Sequence, residues 1–140
     1  MIIRRLKKSD FSKGYLNLLS QLTVVGDVTQ AQFEAQFDKV TSHIIVAEDI
    51  NTNQIVGSIT IAIEQKFIHK CGCVGHIEDV VVDQQKRKAG LGSILLDAAK
   101  SFCLSEKCYK IILDCNEANV PFYEKSGFKK KEVQMVLYLL

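Results

Sequence analysis

The stretch Gly75-His-Ile-Glu-Asp-Val-Val-Val-Asp-Gln-Gln-Lys-Arg-Lys-Ala-Gly-Leu-Gly-Ser-Ile-Leu-Leu constrains the fold of this chain more than any other. Ile77, Val80, Val81 and Val82 form a β-branched run suited to a strand buried on both faces. Gly90 and Gly92 then remove side chains where a backbone must turn tightly or approach a ligand closely. From Ser93 the apolar positions Ile94, Leu95, Ala98, Ala99 and Phe102 recur at helical spacing. A loop that ends in a helix N-terminus presents unpaired N–H groups in the positive field of the helix dipole. With Lys86, Arg87 and Lys88 beside it, this loop is a credible phosphate cradle. Two familiar phosphate loops are excluded by their spelling. A P-loop requires a lysine after its second glycine, and Gly92 is followed by Ser93; a dinucleotide fingerprint requires a third glycine, and Leu95 stands there.

Strands and helices interleave along the rest of the chain. Ile2, Ile3 and Leu6 predict a first strand, and Ser9 caps a helix running through Tyr15, Leu16, Leu18 and Leu19. Thr29-Gln-Ala-Gln32 has capping-box form and opens a second helix carrying Phe33, Phe37 and Val40. The connector between them, Gln21-Leu-Thr-Val-Val-Gly-Asp, holds β-branched residues that discourage helix continuation. His43 to Glu48 reads as a strand, Asn51 to Gln54 as a turn, and Ile55 to Gln65 as a long strand with Ile59, Ile61 and Ile63 on one face. Lys66 to Gly72 links it to the valine-rich strand. Beyond the central helix, Lys110 to Cys115 is a short strand. Asn119 caps a helix with Pro121 in its first turn, Phe122 and Tyr123 within it, and Gly127 at its end. Val133 to Leu140 alternates as a closing strand. The expected architecture is α/β (α+β), a single mixed and mostly antiparallel sheet flanked by helices, in one domain over residues 1–140.

Composition narrows the function. A formal charge of +2 is too small to argue for a nucleic-acid partner, and the basic clusters at 86–88 and 129–131 suit local anion contact. No run approaches the roughly twenty apolar residues of a membrane helix, and the N-terminus has no apolar signal core. Five cysteines at irregular spacing read as reduced thiols in a cytoplasmic protein.

Arg87-Lys-Ala-Gly90-Leu-Gly92 after a valine-rich strand resembles the acetyl-coenzyme A pyrophosphate loop of the GNAT acyltransferase superfamily. Gly75–Val82, Cys108-Tyr-Lys-Ile-Ile-Leu-Asp-Cys115 and Asn119-Val-Pro-Phe-Tyr-Glu-Lys-Ser-Gly-Phe128 occur with it, in order. Together with Gln21–Gly26 and Lys66-Phe-Ile-His69, they resemble the glucosamine 6-phosphate N-acetyltransferases over nearly the whole chain. The resemblance implies a GNAT acyl-CoA N-acyltransferase fold, with acetyl-coenzyme A as cosubstrate and no metal. It implies acetyl transfer to the 2-amino group of glucosamine 6-phosphate, on the way to UDP-N-acetylglucosamine. It also implies a homodimer with sites near the subunit interface.

Each candidate residue has a role and a plainer alternative. The resemblance implies that backbone N–H groups of Val80, Val81 and Val82 polarise the thioester carbonyl where the strand is splayed. It places Arg87, Lys88, Ala89, Gly90, Leu91 and Gly92 around the pyrophosphate. Glu78 is the side chain to orient or deprotonate the amine; strand alternation puts it on the face of Val80 and turns Asp79 the other way, toward the sugar or a partner subunit. Either acid is otherwise a solvated strand-edge group. Asp114, past a buried strand, lies where open sheets place ligands, and by resemblance near the attacking amine; the alternative is a turn aspartate. Tyr123 matches the family's acid for the departing thiolate, against a core tyrosine. Asn119 is expected to contact the pantetheine arm as well as capping its helix. Thr23, Lys66, His69 and Lys110 are the remaining sugar-phosphate candidates, with Lys129–Lys131 in reserve. One departure stands out: the family's final strand usually carries a phosphate-binding arginine, and the corresponding position here is Tyr138. Rival readings are acetyl transfer to a different amine, or a zinc module built from His69, Cys71, Cys73 and His76, whose spacing lacks the Cys-x₂-Cys turn.

Overall fold

The computed structural model describes all 140 residues. Its β-branched segments form one sheet in the order β1-β2-β3-β4-β5, from β1 (Ile2–Arg5), β2 (His43–Asp49), β3 (Gln54–Gln65), β4 (Cys73–Val82) and β5 (Cys108–Leu113). The first four strands pair antiparallel and β5 joins β4 in parallel, so the sheet is mixed and mostly antiparallel, as the sequence led us to expect. The helices are α1 (Tyr15–Leu19), α2 (Gln30–Lys39), the single turn α3 (Ile68–Cys71), α4 (Leu91–Ser105) and α5 (Val120–Glu124). Helix α4 covers one face, burying Leu91, Leu95, Leu96, Ala99 and Cys103 against Ile59, Ile61 and Ile77. Tyr15 and Leu18 of α1 and Phe33 of α2 cover the other face, against Val46, Ile55 and Val81. Gly57 lets α4 come this close, because a Cβ there would lie 2.9 Å from Leu95 Cδ1.

Several expected boundaries move, each for a local reason. Ser9 does not cap a continuous helix. Residues Lys8–Lys13 form a 3₁₀ turn, Gly14 at φ 76° breaks it, and Asp10 supplies the cap by accepting the Lys7 N–H at 2.8 Å. Thr29 does cap α2, with both halves of its capping box present. Helix α4 starts at Leu91 instead of Ser93, since Gly90 at φ 72° turns the chain so that Leu91 enters the core. Its buried stripe rotates accordingly and leaves Ile94 47% exposed. Strand β5 runs two residues earlier than expected, which puts Asp114 and Cys115 beyond its end. Asn116, not Asn119, provides the cap at the next turn, accepting the Asn119 N–H at 3.2 Å. Gly127, at φ 95°, closes that segment as expected.

The largest difference is at the C-terminus. Val133 to Leu140 forms no strand, because no edge of this chain's own sheet receives it; Val133, Met135, Leu137 and Leu139 are all more than 80% exposed. The outer edge of β5 is left without a neighbour.

One buried ion network fixes the start of the chain to the sheet. Asp10 is fully buried, and the Arg4 guanidinium grips both its carboxylate oxygens at 2.8 Å. Arg4 Nε also donates to Glu48 at 3.2 Å, and Lys13 pairs with the same carboxylate. Burial alone would raise the Asp10 carboxyl, but the Arg4 fork and the Lys7 N–H outweigh it and hold its pKa below the usual value. A depressed folded pKa gives stability that is present above the unfolded value of about 3.9 and is lost as pH falls through the folded one. Asp10→Asn is therefore expected to cost about 3–5 kcal/mol at neutral pH, by leaving Arg4 without its buried partner. Urea unfolding followed from pH 6 to pH 3 should also show a shallower acid loss in the variant than in the parent.

Candidate functional site

The site begins where β4 loses a neighbour. Its parallel pairing with β5 ends at Ile77↔Leu113, while its antiparallel pairing with β3 continues to Val82. Residues 78–82 consequently have a strand on one side only. Within that stretch the β3–β4 register slips, from Thr60↔Glu78 to Ser58↔Val81, so Ile59 alone faces Asp79 and Val80. This is a β-bulge, and Asp79 takes a φ of 49° in it. A non-glycine residue held there is strained, and such strain persists only where the surroundings enforce it. The bulge also corrects the simple alternation expected from the sequence: Glu78 and Asp79 are both exposed, and Val80 and Val82 are half-buried. The Asp83 N–H donates to Val56 of β3 at 2.8 Å, so the Val82 N–H, one residue earlier, faces the open side.

The loop after β4 runs through a 3₁₀ turn into an uncapped helix N-terminus. Asp83 caps a 3₁₀ turn over Gln84–Ala89 by accepting the Gln85 N–H at 2.9 Å. Lys86 is tied back to the buried Asp49 at 2.9 Å, so it serves the loop's shape. Arg87 donates its Nε to the Val82 carbonyl at 3.2 Å, which leaves its terminal nitrogens free; Lys88 and Ala89 are exposed. Gly90 then starts α4, and the Ile94 N–H is the first to bond back, to Gly90 at 3.2 Å. No side chain caps α4. The N–H groups of Leu91, Gly92 and Ser93 therefore point outward from a 15-residue helix, the arrangement that binds phosphate.

Helix α5 closes the wedge between β4 and β5. Tyr123 packs its ring into the α4-side core, edge-on to Phe122 and Phe128 at 4.9 and 6.1 Å. Burial, with the nearby Cys115 thiol, pushes its pKa up, so its hydroxyl holds its proton at neutral pH. Asn119 leads into α5 with a side chain that caps nothing. Asp114 lies exposed just past β5, opposite the end of the β4 pairing. Glu78, Asp114, Tyr123, Asn119, the Val80–Val82 backbone and the 87–92 loop thus gather at one end of the wedge. The result is an open groove; a cleft of about 520 Å³ near His43 and Phe102 lies elsewhere.

The four sugar-phosphate candidates divide. Thr23 sits on the connector after α1, which reaches this same end because the Gln21 side chain bonds Asp83 and the Gln84 N–H, each at 3.0 Å. Lys66, His69 and Lys110 lie at the other end. Lys66 pairs with Glu64 at 3.3 Å, His69 stacks on Tyr109 at 4.0 Å, and Lys110 lies over that same ring. Their neighbourhood is Cys73↔Cys108, five residues along β4 from Glu78, or about 16 Å at roughly 3.3 Å per residue. Lys110 itself pairs with Val74, four residues along β4 from Glu78. The supposed zinc ligands also disperse: His76 bonds Glu64, Cys71 is exposed, and Cys73 turns inward to Cys108. Sequence reasoning missed Asp83 and Phe122, and it placed Gln21 only within the Gln21–Gly26 segment without a bond of its own. Asp83, an Asx residue directly before a turn, carried a readable capping signal.

Comparison with known proteins bears on the family and the fold. The model of the acetyltransferase (GNAT) family matches residues 7–128. The glucosamine 6-phosphate N-acetyltransferase of Arabidopsis thaliana is 43% identical over 97% of this chain and 95% of its own length. Glucosamine 6-phosphate N-acetyltransferase 1 of Dictyostelium discoideum is 44% identical, over 97% and 89%. A crystal structure of the Arabidopsis thaliana enzyme superposes with a TM-score of 0.96 at 41% identity, covering 99% of this chain and 97% of that one.

Gly92 illustrates how the groove is held. The sequence suggested that its missing side chain makes room for a ligand; the structure adds a packing reason. A Cβ at Gly92 would lie 3.1 Å from the Phe122 ring. Gly92→Val should therefore push α5 off α4 and cost about 1–3 kcal/mol of stability, measured by urea unfolding. In a Phe122→Ala background the same substitution should cost distinctly less.

Proposed function

Since this chain belongs to the acetyltransferase (GNAT) family, we propose that it transfers acetyl from acetyl-coenzyme A to the 2-amino group of glucosamine 6-phosphate. The products are N-acetylglucosamine 6-phosphate and coenzyme A, a step toward UDP-N-acetylglucosamine. The observation that carries this reading is the half-paired end of β4, with an uncapped α4 N-terminus beside it and Tyr123 across from it.

The chemistry follows from these positions. The 87–92 loop and the first turn of α4 hold the pyrophosphate, and Asn119 meets the pantetheine arm. The acyl carbonyl then lies against β4, where the free N–H groups around Val80–Val82 stabilise its oxygen as negative charge grows there. The Glu78 carboxylate accepts the proton that the attacking amine loses as the carbon–nitrogen bond forms, while the Asp114 carbonyl accepts a hydrogen bond that orients the amine. Tyr123, kept protonated by burial, donates its hydroxyl hydrogen toward the thiolate as the carbon–sulfur bond breaks. Asp79 and Thr23 line the sugar side.

The separation of Lys66, His69 and Lys110 from Glu78 leads to a homodimer, in which these residues serve the site of the second copy and supply the phosphate contacts that Tyr138 does not. The exposed apolar tail at Val133–Leu140, the bare β5 edge and Phe67, 94% exposed at the tip of the β3–β4 hairpin, all suit burial against a second copy. Five unpaired thiols suit a reducing, cytoplasmic setting. No helix is long and apolar enough to cross a membrane.

Thiol release from acetyl-coenzyme A should be fast with glucosamine 6-phosphate and far slower with glucosamine; equal kcat/KM for the two would overturn the substrate assignment. Tyr123→Phe should lower kcat by about 100-fold or more while leaving acetyl-coenzyme A affinity nearly unchanged. Lys66→Ala should erode the preference for the phosphorylated sugar. Mixing Lys66→Ala with Tyr123→Phe chains should restore part of the activity, because one site of each hybrid dimer has neither lesion; no recovery would place Lys66 outside the neighbouring site.

A further inference from the structure

Gln21 is the point at which the connector after α1 touches the cosubstrate loop. Its side-chain Nε2 donates to Asp83 Oδ2 at 3.0 Å, and its Oε1 accepts the Gln84 N–H at 3.0 Å. Only one orientation of the amide satisfies a carboxylate and an N–H together. Asp83 is fixed in turn: its N–H bonds Val56 of β3 at 2.8 Å, and its other oxygen accepts the Gln85 N–H at 2.9 Å, closing the turn that leads to Arg87 and Gly90. The Gln21 bond, together with the Gln85 N–H, holds the Asp83 carboxyl below its ordinary pKa, so the latch has its anionic partner at neutral pH.

The connector has little else to hold it down. The Leu22 and Thr23 N–H groups bond back to Leu19 in α1, at 2.9 and 3.2 Å. Leu22 is 43% exposed and Val24 92% exposed; Val25 is half-buried, and the next apolar anchor is Val28, five residues past Thr23, so the stretch around Thr23 has little apolar packing of its own. Two bonds from one amide plane therefore join the segment that carries Thr23 to the loop that cradles the pyrophosphate.

We propose that Gln21 is a positioning residue that couples the two substrates, so that ordering of the 84–92 loop by coenzyme A fixes the connector over the sugar and each ligand tightens the other. This rests on the functional reading above, because it takes the connector to face glucosamine 6-phosphate. Coupling of this kind is reciprocal, and it is read directly in equilibrium binding without turnover.

The test measures coenzyme A affinity by calorimetry with and without saturating glucosamine 6-phosphate. In the unmutated protein the sugar phosphate should tighten coenzyme A about fivefold or more. In Gln21→Ala that ratio should fall to near one, while affinity for coenzyme A alone changes less than about twofold and the melting temperature is unchanged within a few degrees. Gln21→Glu should also abolish the coupling, since it sets two carboxylates against each other. Combining it with Asp83→Asn exchanges amide and carboxylate and keeps all three bonds possible, so the ratio should return. A ratio of one in the parent protein, or an undiminished ratio in Gln21→Ala, overturns the proposal. Failure of the functional reading shows separately, as absence of thiol release with glucosamine 6-phosphate in the parent, and it removes the latch's role with it.

Discussion

A strand with a neighbour on one side only is the constraint from which the rest of this site follows. Backbone N–H groups that leave a ladder must find another partner or stay wet, because burying them unpaired is costly. Strand β4 meets this by ending its pairing with β5 at Ile77↔Leu113 and running on to Val82 beside β3 alone. Its other side is thereby left without a strand from residue 78 onward. The bulge at Asp79, with its left-handed φ of 49°, re-aims the peptide groups at the same place. Everything else at this end of the molecule either creates the wedge or lines it.

The wedge stays open because the elements around it are anchored elsewhere. Helix α4 is seated in the sheet by Leu91 and Leu95 over Gly57, so its uncapped first turn is held rigidly against the end of β4. Helix α5 is wedged by Phe122 against Gly92 and by Tyr123 in the core. Lys100 of α4 donates to the Ser126 carbonyl and ties down the turn after α5. At the far edge of the sheet, the Arg4–Asp10–Glu48–Lys13 network fixes β1 and the chain that leads into α1. Preorganised donors of this kind need no rearrangement when charge develops on a reacting carbonyl.

The C-terminal tail presents the complementary problem. An apolar, alternating segment satisfies its hydrogen bonds and its side chains together only within a sheet, and this segment pairs with neither edge of the chain's own sheet. The outer edge of β5, which pairs in parallel with β4 on its inner side, stays bare. The tail's apolar side chains and the outer edge of β5 are thus both left exposed.

Features set by near neighbours in the chain were legible from the residues alone. The β-branched run of β4, the Thr29–Gln32 capping box, Pro121 in the first turn of α5, and Gly90 and Gly127 where φ is positive all depend on a few adjacent residues, so their physics is local. The interleaving of strands and helices into one mixed sheet was readable for the same reason, and the fold family came from the resemblance of whole motifs; the facing of Glu78 was not, because it depends on the bulge. What tertiary structure alone decided depends on residues far apart in sequence meeting in space. The place where β5 stops pairing, the register slip at Asp79, the contact of Phe122 with Gly92 and the Gln21–Asp83 bond across 62 residues belong to this class. Val133–Leu140 has a strand's alternation and no strand's partner: periodicity specifies which face a segment would bury, and only the folded sheet determines whether an edge is there to receive it.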